Sequence, residues 1–442
     1  MLIVGNGTLI ALDDANTFLP DGALYIVGDT IAAVGSTSDL RRKYPSAEFI
    51  DARGGLIMPG MLNAHTHTYS TFARGMSLKD APPTNFTEIL SRLWWRLDQA
   101  LDLDGVYYSA VIHFLDCIKN GTTTVLDHHA SPNAISGSLG AIARAAQVVG
   151  VRSNLCYEVT DRDGPERAAA GIAENESYIL HCQRQADPMA TGTFGLHASF
   201  TVGDDTLRKS ADVAARLGVG VHLHVAEDLA DVTHCRVNYQ KNVVTRLHSY
   251  GLLGPRTMAA HCVHIDSAEM DFLAVTGTNV AHNPESNMGN AVGCAPLKEM
   301  LAAKVRVGMG TDAYTADMFE GIKVANLLHK FNRRDPSAAW GEVPTLIFHN
   351  NRQIMTNYFA KPLGELSAGA FADVIIIDYN PPTPLTAGNF YGHLLFGVSG
   401  GLVDTTIVAG KVRMRGRQLQ VVDEKSLAAE ARRFAAMLWE KF

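Results

Sequence analysis

Basic residues are in short supply: 38 Lys and Arg face 45 Asp and Glu, a formal charge of −7 over 442 residues. That deficit argues against a nucleic-acid binder, which needs a basic face to meet phosphate. Nowhere do eighteen apolar residues run together, so no membrane-spanning helix is expected. The opening MLIVGNGTLIALDD reaches Gly5 and then acids by Asp13, with no charged leader, long apolar stretch or cleavage site, and a secretion signal is not expected. The six cysteines (Cys117, Cys156, Cys182, Cys235, Cys262, Cys294) never stand at CxxC spacing and sit mostly in apolar segments. They read as reduced core thiols of a cytoplasmic protein. Repeats, low-complexity tracts and a GxGxxG after a strand are also missing, which removes support for solenoids and dinucleotide folds. Hydrophobic residues, at 47%, are plentiful enough to exclude disorder and to fill a large core.

The chain ends alike and differs in the middle. The first fifty-odd residues alternate short β-prone runs with Gly and Asp turns, and the texture returns in GELSAGAFADVIIIDY and VDTTIVAGKVRMRGRQLQVVD. One discontinuous β-sandwich domain, residues 1–58 with 362–442, is the expected arrangement. The closing SLAAEARRFAAMLWEKF puts Leu427, Ala431, Phe434, Met437 and Leu438 on one helical face, as a packing helix would. Between residues 59 and 361, eight apolar runs alternate with helical patterns: GLIMPGMLNAH, TTTVLDHH, VRSNLCYEV, TFGLHASF, GVGVHLHV, TMAAHCVHI, TNVAHN and VRVGMGTDA. This α/β pattern predicts a (β/α)8 barrel with a helical insertion after the first strand.

In such a barrel the chemistry gathers where strands end, and most of these runs close on histidine or a carboxylate. The first ends in His65, Thr66 and His67; strand alternation points residues i and i+2 the same way, so both imidazoles can converge at the mouth. The fifth gives His224 and, three residues on, Glu227; the sixth gives His261; the eighth gives Asp312. Three histidines and one carboxylate suit a single divalent ion with water in the remaining position.

MPGMLNAHTHTY, HLHVAED, AAHCVHID, HNPESNMGNAVGCAP and GTDAYTADMF resemble the amidohydrolase superfamily, in its cytosine deaminase, guanine deaminase and chlorotriazine hydrolase branch. PLGELSAGAFADVIIID and TTIVAGKVRMRG resemble the returning strands of that branch's accessory sandwich, so the likeness covers almost the whole chain. FARGMSLK, LWWRLD, DHHASPNA and CYEVTDRDG are similar to the SsnA-type aminohydrolases. The resemblance implies that His65, His67, His224 and Asp312 bind metal, that Glu227 carries the proton to the leaving nitrogen, and that His261 faces the reacting group. Asp312 would also orient the nucleophilic water and take its proton. Binuclear members bridge two metals with a carbamylated lysine on the fourth strand; TFGLHASF has none, so one ion per chain is expected, zinc ahead of iron. Glu158 is a substitute bridging carboxylate, a substrate contact or a surface acid. This chain has Gly289 and Asn290 where many deaminases of the branch carry Lys-Leu after SNM.

The substrate-facing candidates are His197, His128, Trp95, Asp98 and Ser286. His197 stands where related deaminases contact substrate, and one of His128 and His129 is expected to face the pocket. Trp94, Trp95 and Asp98 read either as a lid or as an ordinary amphipathic helix. Ser286 and Asn287 read as substrate donors or as caps of a helix beginning near Pro296, while His222 reads as a support or core residue. The implied activity is hydrolysis of a C–N bond in a nitrogen heterocycle, releasing ammonia, with cyclic amide opening or chlorohydrolase activity on the same site as the alternative. A small-molecule substrate, no nucleic acid, no membrane and a homo-oligomeric chain are expected. A phosphoesterase would bring a basic cluster to these strand ends, and none is visible; a non-catalytic scaffold would have lost ligands, and all are kept.

Overall fold

The computed structural model describes residues 1–420 and 422–442. Every apolar run of the middle segment forms a parallel strand: β1 (Met61–Thr66), β2 (Thr122–His129), β3 (Arg152–Tyr157), β4 (Phe194–Ala198), β5 (Val221–Val225), β6 (Met258–His261), β7 (Asn279–His282) and β8 (Arg306–Met309). Almost every residue in them is buried, as expected where helices cover a parallel sheet and strands read as unbroken apolar runs. β4 to β8 form one five-stranded parallel sheet; β1, β2, β3 and the short strand Ala190–Gly192 form a four-stranded one. Two parallel bridges join the sheets, Val159 to Leu196 and Thr66 to Asp312. The run 190–198 thus pairs with β3 at its start and with β5 at its end.

The first run splits. Leu56–Pro59 leaves for another sheet and only Met61–Thr66 stays. Gly60 permits the transition, since a Cβ there would lie 2.2 Å from the Thr123 hydroxyl. Leu56–Pro59 is the central strand of a nine-stranded sheet made from both ends of the chain, flanked by Leu2–Ile10 in parallel and Val374–Ile377 antiparallel. This hydrogen-bonded path is continuous, and it encloses an apolar cluster drawn from both termini, including Leu9, Leu24, Ile57, Ala372 and Ile376. Strand alternation divides Val374–Ile377 between two cores: Val374 and Ile376 face that cluster, while Ile375 and Ile377 join the main core.

A buried ion pair ties the two parts. Arg152, at the start of β3, reaches Asp373 through Nε and Nη2 at 3.2 Å each and lies over the Phe371 ring at 3.8 Å. Stranding one member of such a pair costs about 3–5 kcal/mol, so the contact fixes how the parts meet. The helix Glu424–Lys441 packs on the helix Leu103–Lys119, with Phe434 stacked on Tyr108 and Trp439 Nε1 donating to the Phe72 carbonyl at 2.8 Å. Its buried face is narrower than the sequence suggests: Ala431 and Leu438 are buried, whereas Met437 is 43% exposed. All six cysteines are free, and four are buried. Among the described residues no helix is long and apolar enough to cross a membrane.

Candidate active site

The ends of β1, β5, β6 and β8 meet. Asp312 and Thr311 both donate their backbone N–H to the His65 carbonyl at 2.9 Å, which locks the last strand onto the first. Three side chains reach the centre by leaving the strand through left-handed backbone: Ala226 at φ 46° turns Glu227 inward, His261 has φ 74° and Asp312 φ 55°. Such conformations are disfavoured for residues with a Cβ and persist where the surroundings hold them, commonly at functional sites.

His67 Nε2 lies 3.2 Å from His224 Nε2 and 2.9 Å from Asp312 Oδ1, and His65 Nε2 is 3.5 Å from the same oxygen. The outer nitrogens are spoken for. His67 Nδ1 donates to the His128 carbonyl at 2.5 Å, His224 Nδ1 to the His197 carbonyl at 3.0 Å, and His65 Nδ1 lies 2.8 Å from His222 Nε2. Neutral rings held this way turn Nε2 lone pairs toward one another, an arrangement that repels unless a cation stands between them. His65 Nε2 is buried without a hydrogen-bond partner. In the chain alone the demand for positive charge falls on His67: burial opposes its protonation, yet Asp312 outweighs burial and lifts it to about 9. Burial instead pushes His65 down to about 3. The four residues fit a divalent cation: three imidazole nitrogens and one carboxylate, mutually within 4.8 Å.

Glu227 and His261 flank this cluster. Burial, reinforced by the Asp312 charge, pushes the Glu227 carboxyl well above its usual range. Asp312 is held well below its own: burial opposes ionisation, but the adjacent His65 and His67 rings outweigh it. His261 Nε2 lies between them, 3.5 Å from Glu227 and 3.6 Å from Asp312, and its Nδ1 is fixed by Asn287 Oδ1 at 2.8 Å. Asn287 therefore orients a histidine instead of capping a helix. Ser286 donates to Asp312, and the later helix Leu297–Ala302 begins without it.

A cavity lies beside the cluster, lined by His67, Tyr69, Leu90, Trp95, Glu158, His197, Glu227 and Asn290 among others. Of the five substrate-facing candidates, His197 and Trp95 border it. The other three sit one layer back. His128 is fully buried, with Nε2 on the Leu196 carbonyl at 2.9 Å and Nδ1 3.4 Å from Glu158. Asp98 is buried and meets Arg162 through Oδ2, and Ser286 is buried against Asp312. Glu158 is no surface acid; it forms part of the wall, and although burial opposes ionisation, His197, His128 and Arg162 keep its pKa low. His129 turns to Ser131 Oγ at 2.9 Å, and His222 supports His65.

Two residues escaped the sequence reading. Arg162 sits at the wall, hydrogen-bonded to Asp98 and Asp163, 3.5 Å from Glu158 and beside the Trp95 ring at 5.2 Å. It follows β3 in a loop, and only the fold brings it to a tryptophan from the insertion. Asn290 donates to Glu227 Oε1 and Ser286 Oγ, both at 3.2 Å, and so links the two carboxylates. Its signal was the departure from Lys-Leu. A side chain at Gly289 would collide with the Tyr314 hydroxyl, 1.6 Å from where its Cβ would stand.

The amidohydrolase family profile matches residues 56–413, and that of the bacterial imidazolonepropionase-like composite domain matches residues 22–47. The chain belongs to the amidohydrolase family. It is 32% identical to a 5-methylthioadenosine/S-adenosylhomocysteine deaminase of Pelotomaculum thermopropionicum, over 99% of this chain and 98% of that one. A 5'-deoxyadenosine deaminase of Methanosarcina mazei is 31% identical over the same shares. Among solved structures, an adenosine deaminase from Xanthomonas campestris with bound zinc matches with a TM-score of 0.86 at 24% identity, over 99% of this chain and 98% of that one. An atrazine chlorohydrolase from Arthrobacter aurescens complexed with zinc matches with a TM-score of 0.81 at 22% identity, over 98% of this chain and 100% of that one.

Proposed function

We propose that this chain is a metal-dependent aminohydrolase that releases ammonia from a nitrogen heterocycle of the adenosine type. The observation that carries the reading is the facing pair of His67 and His224 Nε2 atoms, closed by Asp312 and His65, with Glu227 and His261 alongside. The substrate class follows the names of the relatives at 31–32% identity, which are deaminases of adenosine derivatives. The chlorohydrolase likeness, at 22% identity, is one of fold. Phosphoester hydrolysis is disfavoured because Arg162 is committed to Asp98, Glu158 and Asp163.

His65, His67, His224 and Asp312 would hold one divalent ion, zinc ahead of iron. Bound there, the ion supplies Lewis acidity that brings a water's pKa from ~16 toward ~7. Asp312, ionised, orients that water and accepts its proton. Glu227, kept protonated by burial, gives a proton to the nitrogen as the C–N bond breaks, so ammonia leaves as hydroxyl joins the carbon. His261, its ring fixed by Asn287, stabilises the charge that develops on the substituent of the attacked carbon. His197 and Trp95 bound the substrate directly; His128, Asp98 and Ser286 act through Glu158, Arg162 and Asp312.

The architecture read with this function is a single closed (β/α)8 barrel over residues 59–361, supported by the two bridges between the parallel sheets. Residues 1–58 and 362–442 make the composite β-sandwich. A cytoplasmic location, supported by six unpaired cysteines, and self-association complete the reading. Elemental analysis of the purified protein should give close to one zinc or iron per chain. Glu158 already faces the Arg162 guanidinium at 3.5 Å, so a reproducible value of two would refute the one-ion assignment.

A further inference from the structure

The helix Met318–Arg333 carries an exposed stripe whose spacing is symmetrical. Glu320, Lys323, Leu327 and Phe331 face solvent along it, and Arg334 does so just past its end. The steps are three, four, four and three residues, centred on Leu327. Phe331 is 86% exposed and Leu327 59%, and none of Glu320, Lys323 and Arg334 has an ion-pair partner among the described residues. The neighbouring Arg333, by contrast, pairs with Glu299 at 2.9 Å.

Two copies of this helix laid antiparallel across a two-fold axis at Leu327 would set Leu327 on Leu327, Lys323 on Phe331 and Glu320 on Arg334. Each pairing is favourable: apolar on apolar, cation on aromatic face, and carboxylate on guanidinium, with the last two made twice by symmetry. One helix pair falls short of the ~800 Å² per partner that stable dimers bury. The neighbouring helix adds exposed apolar side chains. The helix Phe390–Gly397 packs against Met318–Arg333 and carries Phe396, 75% exposed, whose ring lies 6.1 Å from Trp340, itself 42% exposed. We propose that this face is a homodimer interface, built on antiparallel pairing of Met318–Arg333 with its own copy. The proposal rests on the self-association read above and adds its surface and register.

Light scattering coupled to gel filtration, on the full metal-loaded chain at micromolar concentration, should give twice 47.7 kDa. Leu327→Asp should run as a monomer with unchanged metal content and unfolding temperature. Glu320→Arg and Arg334→Glu, each placing like charges opposite one another twice, should each raise the dimer dissociation constant about tenfold or more. The double variant Glu320→Arg/Arg334→Glu should return it close to the wild-type value, a rescue that only this register predicts. A monomeric wild type would overturn both the interface and self-association. A dimer indifferent to Leu327→Asp and to both single swaps would overturn this surface while leaving self-association standing. Single swaps that dissociate the dimer without rescue in the double variant would overturn the antiparallel register.

Discussion

His65→Ala is expected to fold, to lose its metal, and to lose more than about 10³ in kcat. His65 is fully buried and its Nε2 has no partner within the chain, so its removal takes away a ligand and nothing nearby replaces it. Elemental analysis and ammonia release should fall together, with the far-UV circular dichroism unchanged. His222→Ala gives the contrast. It removes only the neighbour of His65 Nδ1, and loss of such an outer contact weakens metal affinity by about 10–100-fold. Activity should therefore return at high metal concentration for His222→Ala and not for His65→Ala. A His65→Ala protein that kept a full metal complement would break the ligand assignment.

Glu227→Gln should keep the metal and bind substrate about as well, while kcat falls by about 10² to 10⁴. The amide is nearly isosteric and can still meet Asn290, but it has no acidic proton to give. Glu227 stands 3.5 Å from His261 on the far side of that ring from Asn287, in the cavity wall, and burial and the Asp312 charge push its carboxyl well above the usual range. Turnover of a true substrate by Glu227→Gln at near wild-type rate would move the proton transfer to Glu158 or His261.

The site was legible in the sequence wherever strand alternation decides direction. His65 and His67 share a face because they are two residues apart, and His224 and Asp312 close apolar runs that the fold makes into β5 and the end of β8. The layer behind them was less legible, because it depends on contacts across the sheet. Asp98 and Arg162 come from segments 64 residues apart, and their pairing takes Asp98 out of the cavity it was expected to line. Ser286 lies in a helix after β7, where pattern alone cannot tell a contact to Asp312 from one to a ligand. The continuous nine-stranded sheet was also hidden, because Leu56–Pro59 and Met61–Thr66 read as one apolar run until Gly60 divides them. At the C-terminus, periodicity placed Met437 on one face with Ala431 and Leu438, yet those two are buried and Met437 is 43% exposed.

Ammonia release by the metal-loaded chain tests the central claim most directly. The panel should hold adenosine, 5'-deoxyadenosine, 5-methylthioadenosine and S-adenosylhomocysteine, with guanine, cytosine, triazines and pterins as comparison. The account predicts one ammonia per molecule of at least one adenosine-type compound, abolished by a chelator and restored by zinc or iron. A protein carrying its full complement of metal that released no ammonia from any of these heterocycles would contradict it.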